Sequence, residues 1–201
     1  MAALSLAAGL YNRVYTKRMR KFQRMDRVQL DIPVISVGNI TLGGTGKTPV
    51  CRFLARKFEG EGRKVGVASR GYGREGDGTS ILSPETTEVD WHHFGDEPLL
   101  IVRGARDVTV AVDVNRGEAA LALEKDHACD IVILDDGFQF ITLHRDLDIV
   151  IIDAFNPFGF GRLLPAGLLR EPVSSLERAD VLWIAKADSI MPEARRRLVD
   201  M

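Results

Sequence analysis

The sequence contains few cysteines and no long apolar run. Cys51 and Cys129 lie far apart and follow no metal-binding spacing, so we expect free buried thiols in a reducing compartment rather than a disulfide framework or a zinc site. No apolar stretch reaches the roughly 18 residues that a bilayer-spanning helix needs. The composition is otherwise ordinary, because the 201 residues are 45% hydrophobic and 27% charged, which suits a globular domain with a core.

The chain also has little net charge, but its charges are unevenly distributed. The formal net charge is −1 at pH 7, yet residues 1–30 carry seven basic side chains and a single acid, Asp26. Apolar side chains recur at three- and four-residue steps from Leu4 to Phe22, with basic side chains on the opposite face, which predicts an amphipathic helix. On the residues alone, this helix either lies in a membrane interface or packs on the rest of the protein with its charges in water.

Beyond this helix, short apolar runs alternate with helical patterns. The runs are Val34–Val37, Lys64–Ser69, Val108–Val112, Ile131–Leu134, Leu147–Ile152 and Val181–Ala185. Residues 75–94 are expected to be irregular apart from a short hairpin at 79–82. Because nearly continuous apolar runs indicate strands buried on both faces, they predict an α/β fold with a mostly parallel sheet flanked by helices. Ligands bind at the carboxyl ends of the strands in such sheets.

A glycine-rich segment after the first apolar run has the pattern of a P-loop, which makes the predicted fold P-loop NTPase-like. Residues 43–48 read Gly-Gly-Thr-Gly-Lys-Thr, and we expect the loop N–H groups to surround phosphate, the lysine to contact the β- and γ-phosphates, and the last hydroxyl to complete a Mg²⁺ shell. One glycine of the full pattern is replaced by a threonine, which can still enter the loop in an extended conformation. The candidate nucleotide-binding residues are Thr41, Gly43, Gly44, Thr45, Gly46, Lys47 and Thr48.

Two adjacent carboxylates follow the apolar run Ile131–Leu134. Asp135 and Asp136 have the Walker B arrangement, in which an aspartate at a strand tip reaches Mg²⁺ beside the P-loop. The alternative is a turn that leads into Gly137. Asp153 follows another apolar run in the same way, and it stays a second candidate for the metal.

The segment Gly95-Asp96-Glu97-Pro98 opens a predicted helix. Asp96 fits the N-cap position, with Pro98 in the first turn. A carboxylate is also what phosphoryl transfer to a hydroxyl needs as general base. The residues alone favour the cap.

Two other segments resemble known motifs only in part. His144-Arg145-Asp146 is similar to the protein-kinase catalytic loop, but Ile151 stands where that loop needs an asparagine. The segment 185–188 reads Ala-Lys-Ala-Asp, which is similar to the guanine-reading motif of GTPases without its first polar residue. Neither segment predicts a protein kinase or guanine specificity.

In combination and in order, these blocks resemble the tetraacyldisaccharide 4'-kinases of lipid A biosynthesis. The resemblance runs from about residue 1 to 190 and rests on segments 37–49, 69–74, 95–98, 135–139, 144–148, 161–167 and 169–172. It implies phosphorylation, dependent on ATP and Mg²⁺, of the 4'-hydroxyl of a tetraacylated glucosamine disaccharide 1-phosphate. The expected location is the cytoplasmic face of the bacterial inner membrane, with the enzyme bound peripherally.

The resemblance also implies roles for individual residues. Asp96 matches the catalytic aspartate and acts with Lys47, while Asp135 and Asp136 match the metal-binding pair. Residues 1–28 match a membrane-associated helix that contacts an anionic surface, and residues 29–201 form the kinase core. No nucleic-acid partner is expected, and no protein partner is implied. Candidates for contacts with phosphate or sugar are Arg70, Tyr72, Arg74, Arg116, Gln139, Arg162, Arg170 and Glu171.

Family members are longer and carry a second, C-terminal lobe, whereas this chain ends at Met201. A protein that truly lacks this lobe is expected to bind ATP weakly and turn over poorly, because water is not excluded from the phosphate. Two alternatives are an ATPase switch of the partitioning or metal-chaperone kind and a membrane-recruited nucleotide-binding module without kinase activity. The switch is disfavoured, since Leu42 replaces the lysine that such ATPases carry.

Overall fold

A computed structural model describes residues 2–86 and 90–200. The strands are β1 (Val34–Gly38), β2 (Val65–Ser69), β3 (Ser80–Leu82), β4 (Val108–Val112), β5 (Ile131–Asp135), β6 (Leu147–Asp153) and β7 (Val181–Ala185). The helices are α1 (Ala2–Phe22), α2 (Lys47–Gly60), α3 (Trp91–Phe94), α4 (Asp96–Val102), α5 (Arg116–Lys125) and α6 (Pro192–Val199). Among the residues described, no helix combines the length and the apolar character that crossing a bilayer requires.

The chain divides into two compact units. The larger unit comprises Asp26–Gly38 and Lys47–Asp148, and the smaller unit comprises Met1–Met25, Asn39–Gly46 and Ile149–Met201. Each unit is assembled from stretches of the chain that are separated in the sequence.

In the larger unit, five strands lie in the order β3-β4-β2-β5-β1. The pairs β4–β2, β2–β5 and β5–β1 are parallel, and β3–β4 is antiparallel. Every residue of β1, β2, β4 and β5 is buried, which explains why their sequences are apolar throughout rather than alternating. The predicted mostly parallel α/β fold is therefore confirmed.

The segment predicted as irregular, residues 75–94, contains regular structure. β3 does not form the predicted local hairpin, because its partner is β4, with Ile81 opposite Ala111. α3 follows, with Asp90 as its N-cap, and residues 87–89 lie outside the described part of the chain. The hairpin prediction is wrong because pairing with a strand distant in sequence is not visible in local turn residues.

Strand register places three strand ends of the larger unit at one level. Val37 of β1 lies opposite Asp135 of β5, and Ala68 of β2 lies opposite Leu134. Ser69 and Asp135 therefore end neighbouring strands at the same edge, which is where ligands bind in parallel sheets.

In the smaller unit, α1 is held by two tyrosine hydroxyl groups. The Tyr11 hydroxyl donates to the main-chain oxygen of Arg170 at 2.7 Å, and the Tyr15 hydroxyl donates to Glu171 Oε2 at 2.5 Å. Glu171 is fully buried and also accepts from Arg178 at 2.8 Å. Met19, on the same face of the helix, is buried as well. The face that the sequence suggested for a membrane is thus used, in large part, for packing within the fold.

The helix α1 ends at Phe22 and is shorter than the predicted 1–28. Beyond it, Val28 forms an isolated parallel bridge with Leu143, because its N–H donates to Thr142 O at 2.8 Å and its oxygen accepts from His144 N at 2.8 Å. An extended, paired residue cannot belong to a helix, so the basic character of residues 24–27 continues past the end of the helical segment.

Candidate active site

In the larger unit, the P-loop lysine meets the acidic pair at the end of β5. Lys47 is the first residue of α2, and its Nζ lies 3.4 Å from Asp136 Oδ1. Asp136 has a positive φ of 50°, a conformation that places it in the sharp turn after the strand and that non-glycine residues seldom adopt. The lysine and the aspartate pair, singled out separately in the sequence, are therefore neighbours in space.

Asp135 is buried, and two uncharged donors hold its carboxylate. Ser69 Oγ donates to Oδ2 at 3.1 Å, and Cys51 Sγ donates to Oδ1 at 3.6 Å. Burial, followed by the negative charges of Glu97 and Asp136, raises the pKa of Asp135 to about 6, against the lowering effects of Ser69 and Lys47. Burial and the neighbouring carboxylate likewise raise the pKa of the Cys51 thiol well above its usual value.

The donor set suits Mg²⁺ held jointly with a polyphosphate. Asp135, Asp136 and Glu97 concentrate negative charge at one place, and a divalent cation would relieve their mutual repulsion. Among the described residues, no three His, Cys, Asp or Glu side chains are grouped closely enough to hold a metal alone. Mg²⁺ usually takes only one or two carboxylates and fills its shell with phosphate oxygens and water, and Thr48 supplies a hydroxyl next to Lys47 in the sequence.

Asp96 does not have the predicted capping role. Gly95 occupies the N-cap of α4 and provides no side-chain cap, so Asp96 is the first residue of the helix and is exposed. Gly95 has a φ of 84°, and a Cβ there would lie 3.1 Å from Tyr72 O, so the tight approach to the turn after β2 requires glycine. The N-cap prediction is wrong, and the Asp96 carboxylate is left exposed beside that turn.

Glu97 is a site residue that the sequence reading missed. Its charge is the second-largest cause, after burial, of the raised pKa of Asp135. The signal in the sequence was present, since two acidic residues stand together at the start of α4. The effect of Glu97 on Asp135 depends on the start of α4 lying near the end of β5, which the sequence does not show.

In the smaller unit, side-chain hydrogen bonds and a bridge to Leu169 hold the P-loop segment 39–46 in place. The buried Asn39 amide donates to Thr41 O at 2.7 Å and to Thr45 Oγ1 at 2.9 Å. Thr41, which replaces the first glycine of the motif, forms an antiparallel bridge with Leu169, so it has the extended conformation that we expected of a threonine there. Gly43 and Gly46 have φ values of 111° and 94°, a conformation that residues other than glycine rarely adopt.

Asp153, the second candidate for the metal, has another partner. Its Oδ2 lies 2.5 Å from Lys186 Nζ. Partial burial raises the pKa of Asp153, but hydrogen bonds from Lys186 and from the Phe155 N–H outweigh it, so the pKa falls below its usual value. The same lysine donates to Gly44 O at 3.3 Å. Asp153 is thus the acid of an ion pair at the P-loop, within the smaller unit.

The residues of the larger unit that are predicted to contact the substrate differ in how far their side chains are exposed. Arg70 and Tyr72 follow β2 and are exposed. Arg74 is tied into the fold, because its guanidinium donates to Val112 O at 2.7 Å and to Gly78 O. Arg116 is buried and lies over the Phe140 ring at 4.5 Å, while Gln139 is half-buried after Asp136. Of these five residues, Arg70 and Tyr72 are the exposed ones, and the others are partly or fully buried.

The candidates of the smaller unit divide in the same way. Arg162 is exposed in the loop after β6, and Arg170 is half-buried with its main chain bound to Ile40 and Tyr11. Glu171 is enclosed by Tyr15 and Arg178, so its carboxylate holds α1 in place. The substrate contacts of all these residues stay predictions.

Comparison with known proteins is consistent with this arrangement. The family model described as tetraacyldisaccharide-1-P 4'-kinase matches residues 1–199. The tetraacyldisaccharide 4'-kinase of Geobacter sulfurreducens is 42% identical over 185 residues, which cover 90% of this chain and 52% of that protein. That of Anaeromyxobacter sp. (strain K) is 40% identical over 207 residues, covering 98% of this chain and 51% of that protein. The chain therefore spans about half the length of the curated relatives that it matches.

A solved structure is similar along most of the chain. LpxK from Aquifex aeolicus, crystallised in complex with ATP, superposes with a TM-score of 0.83 at 37% identity and covers 93% of this chain and 59% of that chain. Sequence and fold therefore agree with this family over nearly the whole length of the chain. The chain belongs to the tetraacyldisaccharide-1-P 4'-kinase family.

Proposed function

We propose that this chain transfers the γ-phosphoryl group of ATP to the 4'-hydroxyl of a tetraacylated glucosamine disaccharide 1-phosphate. The observation that carries the proposal is the contact of 3.4 Å between Lys47 and Asp136 beside buried Asp135, in a member of this kinase family. A relative of the family is known in complex with ATP. Family membership favours the kinase over the ATPase switch and over a binding module without activity.

The P-loop residues bind the nucleotide in this proposal. The N–H groups from Gly43 to Gly46 surround the phosphates, and Lys47 exchanges its contact with Asp136 for the β- and γ-phosphate oxygens. Asp135, Asp136 and the Thr48 hydroxyl would hold Mg²⁺, and the bound cation would neutralise charge on the transferred group. A bound cation would offset the free-energy cost of burying Asp135 as an anion.

Asp96 is the proposed general base. Its exposed carboxylate starts α4, next to Glu97, whose charge reaches Asp135. The proton of the sugar hydroxyl moves to Asp96 as the oxygen bonds to phosphorus, and the bond to the β-phosphate oxygen breaks. Since phosphoryl transfer has a loose transition state, the main contribution of such a carboxylate is to orient the hydroxyl.

The exposed face of α1 is the proposed membrane contact, at the cytoplasmic face of the bacterial inner membrane. Leu6, Leu10 and Val14 are 77%, 64% and 60% exposed. Continuing at the same three- and four-residue spacing, this face carries the exposed basic residues Lys17 and Lys21, and exposed Arg24 lies just beyond the end of the helix. This face is apolar in its first half and basic in its second, and each basic side chain near an anionic leaflet adds about 1 kcal/mol of attraction. Residues 1–28 then form the membrane element and residues 29–201 the kinase core.

A transfer assay tests the proposal. The protein is incubated with γ-labelled ATP, Mg²⁺ and the tetraacylated disaccharide 1-phosphate, and the label is followed in lipid and in free phosphate. We expect label in lipid, and we expect Lys47→Ala to reduce it at least 100-fold, because the lysine neutralises charge in the transition state. Lys57→Ala is the control, since Lys57 lies on the same helix, is exposed and pairs only with nearby Glu61 among the contacts described. Label in phosphate alone would identify an ATPase, and label in neither product would leave only nucleotide binding.

A further inference from the structure

A lysine outside the P-loop motif contacts a carbonyl of that loop. Lys186 follows β7, and its Nζ lies 3.3 Å from Gly44 O and 2.5 Å from Asp153 Oδ2. Because β6 and β7 are parallel with Asp153 opposite Ala185, the acid and the lysine end neighbouring strands at one edge. The contact joins this edge to the loop within the smaller unit.

The backbone fixes the position of Lys186. Its φ and ψ are 60° and 23°, the left-handed conformation that non-glycine residues seldom adopt and that is often found at functional sites. The main chain around Lys186 is held by hydrogen bonds, because Ala185 O accepts from Ala154 N at 3.1 Å and Lys186 O accepts from Ser189 N at 3.0 Å. A Cβ on Gly46 would lie 3.7 Å from Ala185 Cβ, so the end of β7 packs directly against the loop.

A loop that binds an anion through its N–H groups must turn its carbonyl oxygens away. A rotated peptide would direct a partial negative charge at the phosphate and remove a donor. In residues 39–46, Thr41 O accepts from Asn39 Nδ2, and Gly43 O accepts from the Thr45 N–H. Gly44 O accepts from Lys186, and charge-assisted hydrogen bonds are stronger than neutral ones.

We propose that Lys186 is a positioning residue that holds the Gly44 peptide with its oxygen directed away from the phosphates, and that Asp153 keeps Lys186 in place. This inference rests on the proposed nucleotide binding. It gives a role to the segment 185–188, whose likeness to a guanine-reading motif predicted no base specificity. The role concerns the phosphates, so it applies to any nucleoside triphosphate that the loop accepts.

ATP binding by the full chain tests the proposal, with calorimetric titrations performed in EDTA and in Mg²⁺. We expect Lys186→Met to weaken binding about five- to tenfold in both conditions, as for the loss of one charge-assisted hydrogen bond. Lys186→Arg retains a donor and a charge and should recover most of the affinity. Lys57→Met removes an equal charge from an exposed site and should leave binding unchanged. Unchanged affinity of Lys186→Met would overturn the proposal.

Asp153→Asn separates positioning from simple charge attraction. If Lys186 acted only through its charge, removing the adjacent negative charge would strengthen ATP binding. If Asp153 positions Lys186, the variant should bind about threefold or more weakly, while its remaining amide oxygen still accepts from the Phe155 N–H, which Asp153 Oδ1 binds at 2.9 Å. Stronger binding would contradict the proposal, and so would a loss that appears only with Mg²⁺, because that result would identify Asp153 as a metal ligand.

A readout without nucleotide keeps this inference distinct from the proposed function. Hydrogen exchange of a peptide covering residues 42–46 reports the Thr45 N–H, which donates to Gly43 O at 3.1 Å. We expect exchange in nucleotide-free protein to be at least threefold faster in Lys186→Met than in the wild type or in Lys57→Met, at an unchanged unfolding temperature. Equal exchange rates would overturn the positioning role. Failure of the wild type to bind ATP would refute the proposed function, while the exchange rates would still decide whether Lys186 orders the loop.

Discussion

Replacing Asp135 by asparagine should stabilise the metal-free protein at alkaline pH. The carboxylate is buried, and burial together with the charges of Glu97 and Asp136 raises its pKa to about 6. The unfolded chain has a pKa of about 3.9. The folded state therefore binds more protons between these values, so the free energy of unfolding contributed by this group falls as the pH rises from about 4 to above 6.

The size of the effect follows from the difference between the two pKa values. A shift of about two units corresponds to roughly 3 kcal/mol at a pH well above both values. Asparagine has nearly the same shape, carries no charge, and its Oδ1 can accept the Ser69 hydroxyl, which donates to Asp135 at 3.1 Å. We expect the variant to be more stable than the wild type by about 2 kcal/mol at pH 8 and by nearly nothing at pH 4.

Urea unfolding in EDTA at pH 4, 6 and 8 measures this prediction, with EDTA excluding stabilisation of the wild type by a bound cation. Asp188→Asn is the matched control, because it makes the same substitution at a fully exposed side chain. The same Asp135→Asn protein should lose most of its phosphoryl transfer, since an amide is a weaker ligand for Mg²⁺ than a carboxylate. A variant that is less stable than the wild type at pH 8, or a stability difference that does not change with pH, would show that the folded protein does not destabilise the Asp135 anion.

Three further substitutions test other parts of the structure. Tyr15→Phe removes a hydrogen-bond donor to buried Glu171 and should lower the free energy of unfolding by about 1–2 kcal/mol in urea; no change would mean that this hydrogen bond does not hold α1. Leu10→Ser should weaken co-sedimentation with anionic vesicles several-fold without shifting the unfolding temperature, because Leu10 is 64% exposed; unaltered vesicle binding would exclude this face as the contact. Asp96→Ala should reduce turnover at least 100-fold with little change in the KM for ATP, and near-normal turnover would remove Asp96 as the base.

The sheet and its site edge were largely predictable because their causes are local. Strands buried on both faces need continuous apolar residues, so β1, β4 and β5 are visible as runs in the sequence. The phosphate loop requires glycines at positive φ, as at Gly43 and Gly46, and a lysine directly after them. Asp135 and Asp136 could be paired with that loop because parallel strands end at a common edge.

The errors and omissions concern contacts between distant segments. The residues alone favour an N-cap for Asp96, whereas Gly95 takes that position, because the sequence does not show that Gly95 packs against the turn after β2. The sequence likewise does not show that the Glu171 carboxylate contacts Tyr15 and Arg178; its substrate contact stays a prediction. The hydrogen bond from Lys186 to Gly44 joins residues far apart in the chain, and no periodicity or motif encodes such a pair.

The order of residues alone therefore predicted the α/β class, the glycine-rich loop and the acidic strand tip, since each depends on backbone geometry and on neighbours within a few positions. Folding in three dimensions determined which face of α1 stays exposed, which arginines are exposed to a ligand, and how burial raises the pKa of Asp135 to about 6. Burial and electrostatic fields are sums over whatever surrounds an atom, and those surroundings exist only once remote segments have come together.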